Sequence, residues 1–178
     1  MFPSSILMLT LLLIAAGATL YYGAILSGLL KDPLMARLRR YGEEYPLSVL
    51  TNMLIAAGVC ALLIGTQIPV FAQPGSYIRR TFPSWLFFLL GLLLLGAAAF
   101  VHRRPALRDA LPRWHWELLQ CCTRQERRHI AYAWLRIPRL LRWRLNGDQK
   151  SFQVWSELVR LTVIYGAFDP TSPWNRWT

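Results

Sequence analysis

Three long uncharged runs dominate the pattern of apolar and polar positions: residues 6–30, 46–72 and 84–101, of 25, 27 and 18 residues. At 1.5 Å per residue each is long enough to cross a hydrocarbon core of about 30 Å, the third only just. Lipid offers no partner to an exposed peptide group, so each run predicts a membrane-spanning helix. The first run lacks a basic flank and is longer than the apolar part of a cleaved signal, so it reads as a retained span.

Beyond residue 101 the pattern turns from continuous to periodic. Residues 102–122 read as a connector interrupted by Pro105 and Pro112, with Trp114, His115 and Trp116 expected at headgroup level. Thr123-Arg124-Gln125-Glu126 has the spacing of a capping box and predicts a helix start. From there, at 100° per residue, Ile130, Ala133, Trp134, Ile137, Leu140, Leu141 and Leu145 share one face. Arg128, Arg136, Arg139 and Arg142 gather on the other, with Arg144 out of place. A helix of about 20 residues, kinked at Pro138, is expected to end at Gly147, with Asp148 capping the next. That next segment places Phe152, Trp155, Leu158, Val159, Leu161 and Tyr165 beside a narrow strip of Gln153, Ser156, Glu157 and Arg160. The link Asn146-Gly147-Asp148 is short enough to fold the two helices into a hairpin. Pro170 and Pro173 forbid helix at the end, where Trp174 and Trp177 suggest an extended strap. The expected fold is therefore all-α: a three-span transmembrane protein with an amphipathic helical hairpin and a C-terminal strap. Its divisions are a transmembrane unit 1–101, a juxtamembrane connector 102–122, a basic hairpin 123–166 and a tail 167–178.

Charge gives this arrangement a direction. The net charge is +11, and it is segregated: 1–101 holds six Lys/Arg and three Asp/Glu, while 102–178 holds fourteen and six. Lys31, Arg37, Arg39 and Arg40 follow the first span, Arg79 and Arg80 the second, and Arg103, Arg104, Arg108 and Arg113 the third. The positive-inside rule then places the first loop and the tail in the cytoplasm and the N-terminus outside, as three spans require. The expected location is a bacterial cytoplasmic (inner) membrane.

The spans contain no Asp, Glu, Lys, Arg or His. Proton relays and ion paths place ionisable groups at that depth, so a stand-alone transporter or channel is disfavoured, and a bis-His haem has no ligands. Asn52 reads either as an interhelical hydrogen-bonding group or as a residue at the wet inner boundary. Small residues recur every fourth position: Ala15, Thr19, Gly23 and Ser27 in the first span, with Ala16, Ala24 and Gly28 beside them, and Ala57, Ala61 and Gly65 in the second. The third span carries Gly91, Gly96, Ala97, Ala98 and Ala99. Such ladders let helix backbones approach closely and are the expected packing seams, within the chain or against a partner.

Chemistry is sparse. Cys60 reads as a packing residue, and the vicinal Cys121 and Cys122 have no zinc-binding spacing. No nucleophile elbow, HExxH, P-loop or dinucleotide turn occurs, and His102, His115 and His129 stand without a matching nucleophile. Neither metal nor cofactor nor catalysis is expected. The stretch from Arg127 to Asp148 holds six arginines and two tryptophans. Basic amphipathic helices of that kind dock on anionic phospholipid and acidic protein surface. A nucleic-acid reader would need an exposed recognition helix, and the second helix is too apolar. The lipid- or partner-binding residues expected are Arg103, Arg104, Arg128, Arg136, Arg139, Arg142, Trp134, Trp143, Trp174 and Trp177. The expected role is a non-catalytic accessory, anchoring or assembly subunit that docks with larger integral membrane subunits. The alternatives are a membrane-tethered regulator of an acidic soluble partner and, third, a small membrane-embedded enzyme.

Overall fold

The computed structural model describes residues 3–41, 48–71, 77–108 and 110–167, and is helical wherever it is regular. The elements are α1 Pro3–Leu26, α2 Asp32–Tyr41, α3 Val49–Phe71, α4 Tyr77–Arg103, α5 Pro105–Arg108, α6 Arg113–Cys121, α7 Arg124–Arg136, α8 Arg139–Gly147 and α9 Gln149–Ala167. Three stretches, Ile6–Leu26, Val49–Gln67 and Ser84–Arg103, are long and apolar enough to cross a membrane. The expected strap, with Trp174 and Trp177, lies outside the described residues.

The chain forms two compact units that do not follow its linear order. One comprises Met1–Leu26 and Pro46–Ala110; the other comprises Ser27–Tyr45 and Leu111–Thr178. The loop after the first apolar run is thus part of the same body as the basic tail, a pairing that no local pattern announces.

In the first unit α3 packs against both α1 and α4. Small residues set the separation, because where side chains are small the helix backbones can approach closely. Gly58 and Gly91 meet across the α3–α4 crossing. A Cβ on Gly91 would stand 2.6 Å from Leu62 Cγ and 3.0 Å from the Gly58 carbonyl oxygen. One on Gly65 would stand 3.3 Å from Phe88 and from the Ser84 carbonyl. Ala15, Ala61 and Ala98 are buried, Ala57 and Thr19 half-buried. Gly23 faces Met53, whose sulfur would lie 3.8 Å from a Cβ there. Ser27 departs from the expected ladder: α1 stops at Leu26, and Ser27 is exposed beyond its end. The cause is Gly28, at φ +79°, where the backbone turns against Trp114; a Cβ would meet that indole at 3.1 Å. Thr10 and Thr19 donate their hydroxyl hydrogens to the Ile6 and Ala15 carbonyls of their own helix, and Thr66 to Leu63. These hydroxyls are satisfied locally rather than across helices.

Proline punctuates the second unit. The expected kinked helix is instead two helices, α7 and α8, separated at Ile137–Pro138. Ile137 is extended at ψ 148° and Pro138 at ψ 145°. Proline pushes the preceding residue out of helical ψ and donates no N–H, so the helix ends and restarts rather than bending. The capping box is formed: Thr123 Oγ1 accepts from the Glu126 amide, and Glu126 accepts from the Thr123 amide at 2.6 Å. Asp148 caps α9, accepting from the Lys150 amide and the Ser151 hydroxyl at 3.0 and 2.6 Å.

The tight α3–α4 crossing yields a paired test. Gly91→Ala should lower the stability of the detergent-solubilised protein by about 1–3 kcal/mol, as overpacking does. Gly96→Ala, with nothing within 4 Å of the new methyl, should not lower it. Thermal unfolding of the two variants side by side checks this.

Candidate functional site

The second unit is built around Phe152. Its ring lies 5.4 Å from Trp114, 5.5 Å from Trp134 and 6.0 Å from Trp155, the first two edge-on. Trp134 and Trp155 are 5.3 Å apart. Aromatic edges carry positive charge and faces negative, so T-shaped pairs add to the area such rings bury. Leu34, Met35 and Leu38 of α2, and Ile130 and Ala131 of α7, complete the buried set, and α2 packs on α7.

Two adjacent charged residues join the loop to the tail. Lys31, buried, donates from Nζ to the carbonyls of Gly28 at 3.0 Å, Leu145 at 3.3 Å and Asn146 at 3.1 Å. Two of these belong to the last turn of α8, where carbonyls lack helical partners and a cation complements the dipole. The ammonium also lies 5.0 Å from the Phe152 ring and 6.0 Å from Trp114. Burial lowers its pKa to about 8 against the opposing pull of Asp148. Asp32 accepts from Trp134 Nε1 at 2.7 Å and from Arg142 at 3.0 Å. Glu117 and Glu126 do similar work at the surface. Glu117 accepts from Gln153 at 2.7 Å and Glu126 from Arg160 at 3.3 Å, tying α9 to α6 and α7. The Thr123 amide and hydroxyl and Arg160 hold the Glu126 carboxyl below its ordinary pKa, outweighing partial burial.

These contacts separate the expected binding residues into two sets. Trp134 is fully buried and Arg142 is paired with Asp32, so both make contacts within the fold. Trp114, expected at headgroup level, is also core, whereas its neighbour Trp116 is exposed. Arg136 lies over the Tyr132 ring at 4.3 Å, and Arg104 over Phe100 at 4.7 Å. Arg103, Arg128, Arg139 and Trp143 are exposed, Trp143 at 76%. Leu140 and Leu141, expected to face inward, are exposed at 71% and 43%, because the break at Pro138 rotates α8 away from the line of α7. Sequence reasoning missed Lys31 and Asp32. The available signal was Leu34, Met35 and Leu38, whose spacing gives a short loop one buried helical face. It also missed a second apolar stripe on α9: Val154, Leu158 and Leu161, all exposed and opposite Phe152, Trp155 and Val159.

Burial shifts two titratable groups toward their neutral forms. Burial, aided by Arg127, lowers the His115 pKa to about 4, and burial pushes the Cys122 thiol up to about 11, away from the nucleophilic thiolate. Among the described residues no group of three or more His, Cys, Asp or Glu could hold a metal ion. What remains is a surface: α8 with Leu140, Leu141 and Trp143 beside Arg139 and Arg144, and the stripe on α9. No family model, curated protein or solved structure matches the chain.

Two measurements probe this unit. Asp32→Ala leaves the Trp134 N–H and the Arg142 guanidinium without their acceptor, at a cost of about 2 kcal/mol. Hydrogen exchange should quicken across α7 and α8 while α3 and α4 keep their protection. Acidification supplies the second. His115 is neutral in the fold down to about pH 4, while its unfolded form protonates near 6.5. Between those values the unfolded state binds more protons, so stability falls as pH drops. His115→Phe should flatten that loss, read as unfolding midpoint against pH.

Proposed function

We propose that this chain is a non-catalytic accessory, anchoring or assembly subunit of a larger membrane protein complex. In this proposal α1, α3 and α4 lie in the bilayer, with the small residues not used between them, such as Gly17 and Gly96, available to larger integral subunits. The first loop and the basic tail lie on the cytoplasmic side, and the N-terminus on the other. The tail forms a docking body for acidic protein surface and anionic phospholipid, with the helical hairpin of α8 and α9 as its working part.

The observation that carries this reading is the apolar surface left over once the second unit has formed its core. Leu140, Trp143, Val154 and Leu158 are each more than half exposed, on helices that already bury Leu145 and Phe152 inward. Large apolar side chains outside a completed core mark interaction surfaces when they cluster. The charge pattern supports the orientation: the two segments assigned to the cytoplasm by their arginines and lysine are the two that form one compact unit. Packing of that kind requires them to share a side of any bilayer the helices cross.

A mild-detergent pull-down from native membranes, with a C-terminal tag, is the test. It should retain larger membrane subunits at a constant ratio. A lone homo-oligomer would sink the accessory-subunit reading. One soluble protein, bound singly and released by salt, would replace it with a tethered regulator.

A further inference from the structure

We propose that α8 is a membrane-interface helix. Leu140, Leu141 and Trp143 insert among the headgroups of an anionic phospholipid leaflet, and Arg139 and Arg144 pair with the lipid phosphates. This rests on the placement of α1, α3 and α4 in a bilayer.

The outer face of α8 has the composition that a charged interface selects. Trp143 and Leu140 are its most exposed apolar residues, at 76% and 71%. Trp prefers the headgroup level, where its ring is in apolar surround and its N–H reaches water. Arg139 and Arg144 are exposed and have no ion pair among the described residues, unlike Arg113, Arg142 and Arg160. From Arg127 to Gly147 the chain carries no Asp or Glu, and the one acid of α7, Glu126, pairs with Arg160 of α9, so no acid of α7 or α8 is paired with them. Guanidinium matches phosphate oxygens two at a time.

The inner face explains how so short a helix can do this. Nine residues form no stable helix alone, and an isolated peptide would lose most of its binding free energy to ordering. Here the helix is held from behind before it meets lipid. Arg142 is fixed by Asp32, Leu145 is buried, and Lys31 binds the Leu145 and Asn146 carbonyls. Chain connectivity supplies proximity, since Ser27 of this unit directly follows the apolar helix α1.

The stripe on α9 differs in the property that decides between lipid and protein. Val154, Leu158 and Leu161 share their helix with Glu157, which pairs with Arg160 at 3.3 Å. Lys150 on the same helix lies beside Asp148, so the surface carries charges of both signs and gives an anionic leaflet little net attraction. Unopposed positive charge beside apolar side chains belongs to α8.

The test uses the full chain in phosphatidylcholine vesicles containing phosphatidylglycerol. Cys60, Cys121 and Cys122 are replaced by Ala, and one spin label is placed at Leu140→Cys or, independently, at Trp143→Cys. A control label at Leu92→Cys reports on α4. Collisions with oxygen report lipid, and collisions with a water-soluble nickel chelate report water. The α8 labels should favour oxygen. Arg139→Gln and Arg144→Gln should each lower the docked-to-undocked ratio about fivefold, and high salt should lower it further. If the α8 labels meet the nickel chelate while Leu92→Cys stays in lipid, the helix is solvated and the proposal fails alone. Labels shielded from both reagents would mean that protein covers α8, which also overturns it. A control label open to nickel chelate would remove the bilayer placement itself, and the proposal with it.

Discussion

Two neighbouring residues of opposite charge hold the second unit together. Lys31 supplies the donors that the last turn of α8 lacks, and Asp32 supplies the acceptor that a buried Trp134 and a half-buried Arg142 need. Neither contact is an exposed ion pair of the kind that contributes little, such as Arg113 with Glu117. An indole N–H carried into a core without an acceptor loses its water for nothing in return, so Trp134 can occupy the centre only because Asp32 reaches it. The aromatic cluster around Phe152 therefore depends on a loop more than a hundred residues distant in the chain.

The two units pack by different means. In the first, glycine and alanine bring α3 and α4 backbones together, and the Thr10, Thr19 and Thr66 hydroxyls bond within their own helices. In the second, large aromatic rings meet edge to face, and carboxylates reach between helices.

Legibility from sequence followed the range of the interaction. The three apolar helices, the capping box at Thr123 and the Asp148 cap were readable, because each depends on residues within a turn or a continuous run. Gly91 was noticed as a small residue, but its partner Gly58 was not, since their register requires knowing which faces meet. The break at Pro138 was expected as a kink. The difference reversed the sides of Leu140 and Leu141, and put Arg142, which pairs with Asp32, on the free basic face. The union of 27–45 with 111–178 was out of reach, because periodicity says that Leu34, Met35 and Leu38 need cover but not what covers them.

The interleaving of the two units has a consequence for biosynthesis. The loop carrying Lys31 and Asp32 emerges early, but its partners from Trp114 to Phe152 are made only after α3 and α4. With those two helices in a bilayer, loop and tail meet only if the chain has crossed an even number of times between them. A nascent chain that skips one crossing strands Asp32 and Trp134 on opposite faces of the membrane, with the apolar side of α2 uncovered. On the proposed topology, the aromatic core closes only in chains whose loop and tail have reached the same side.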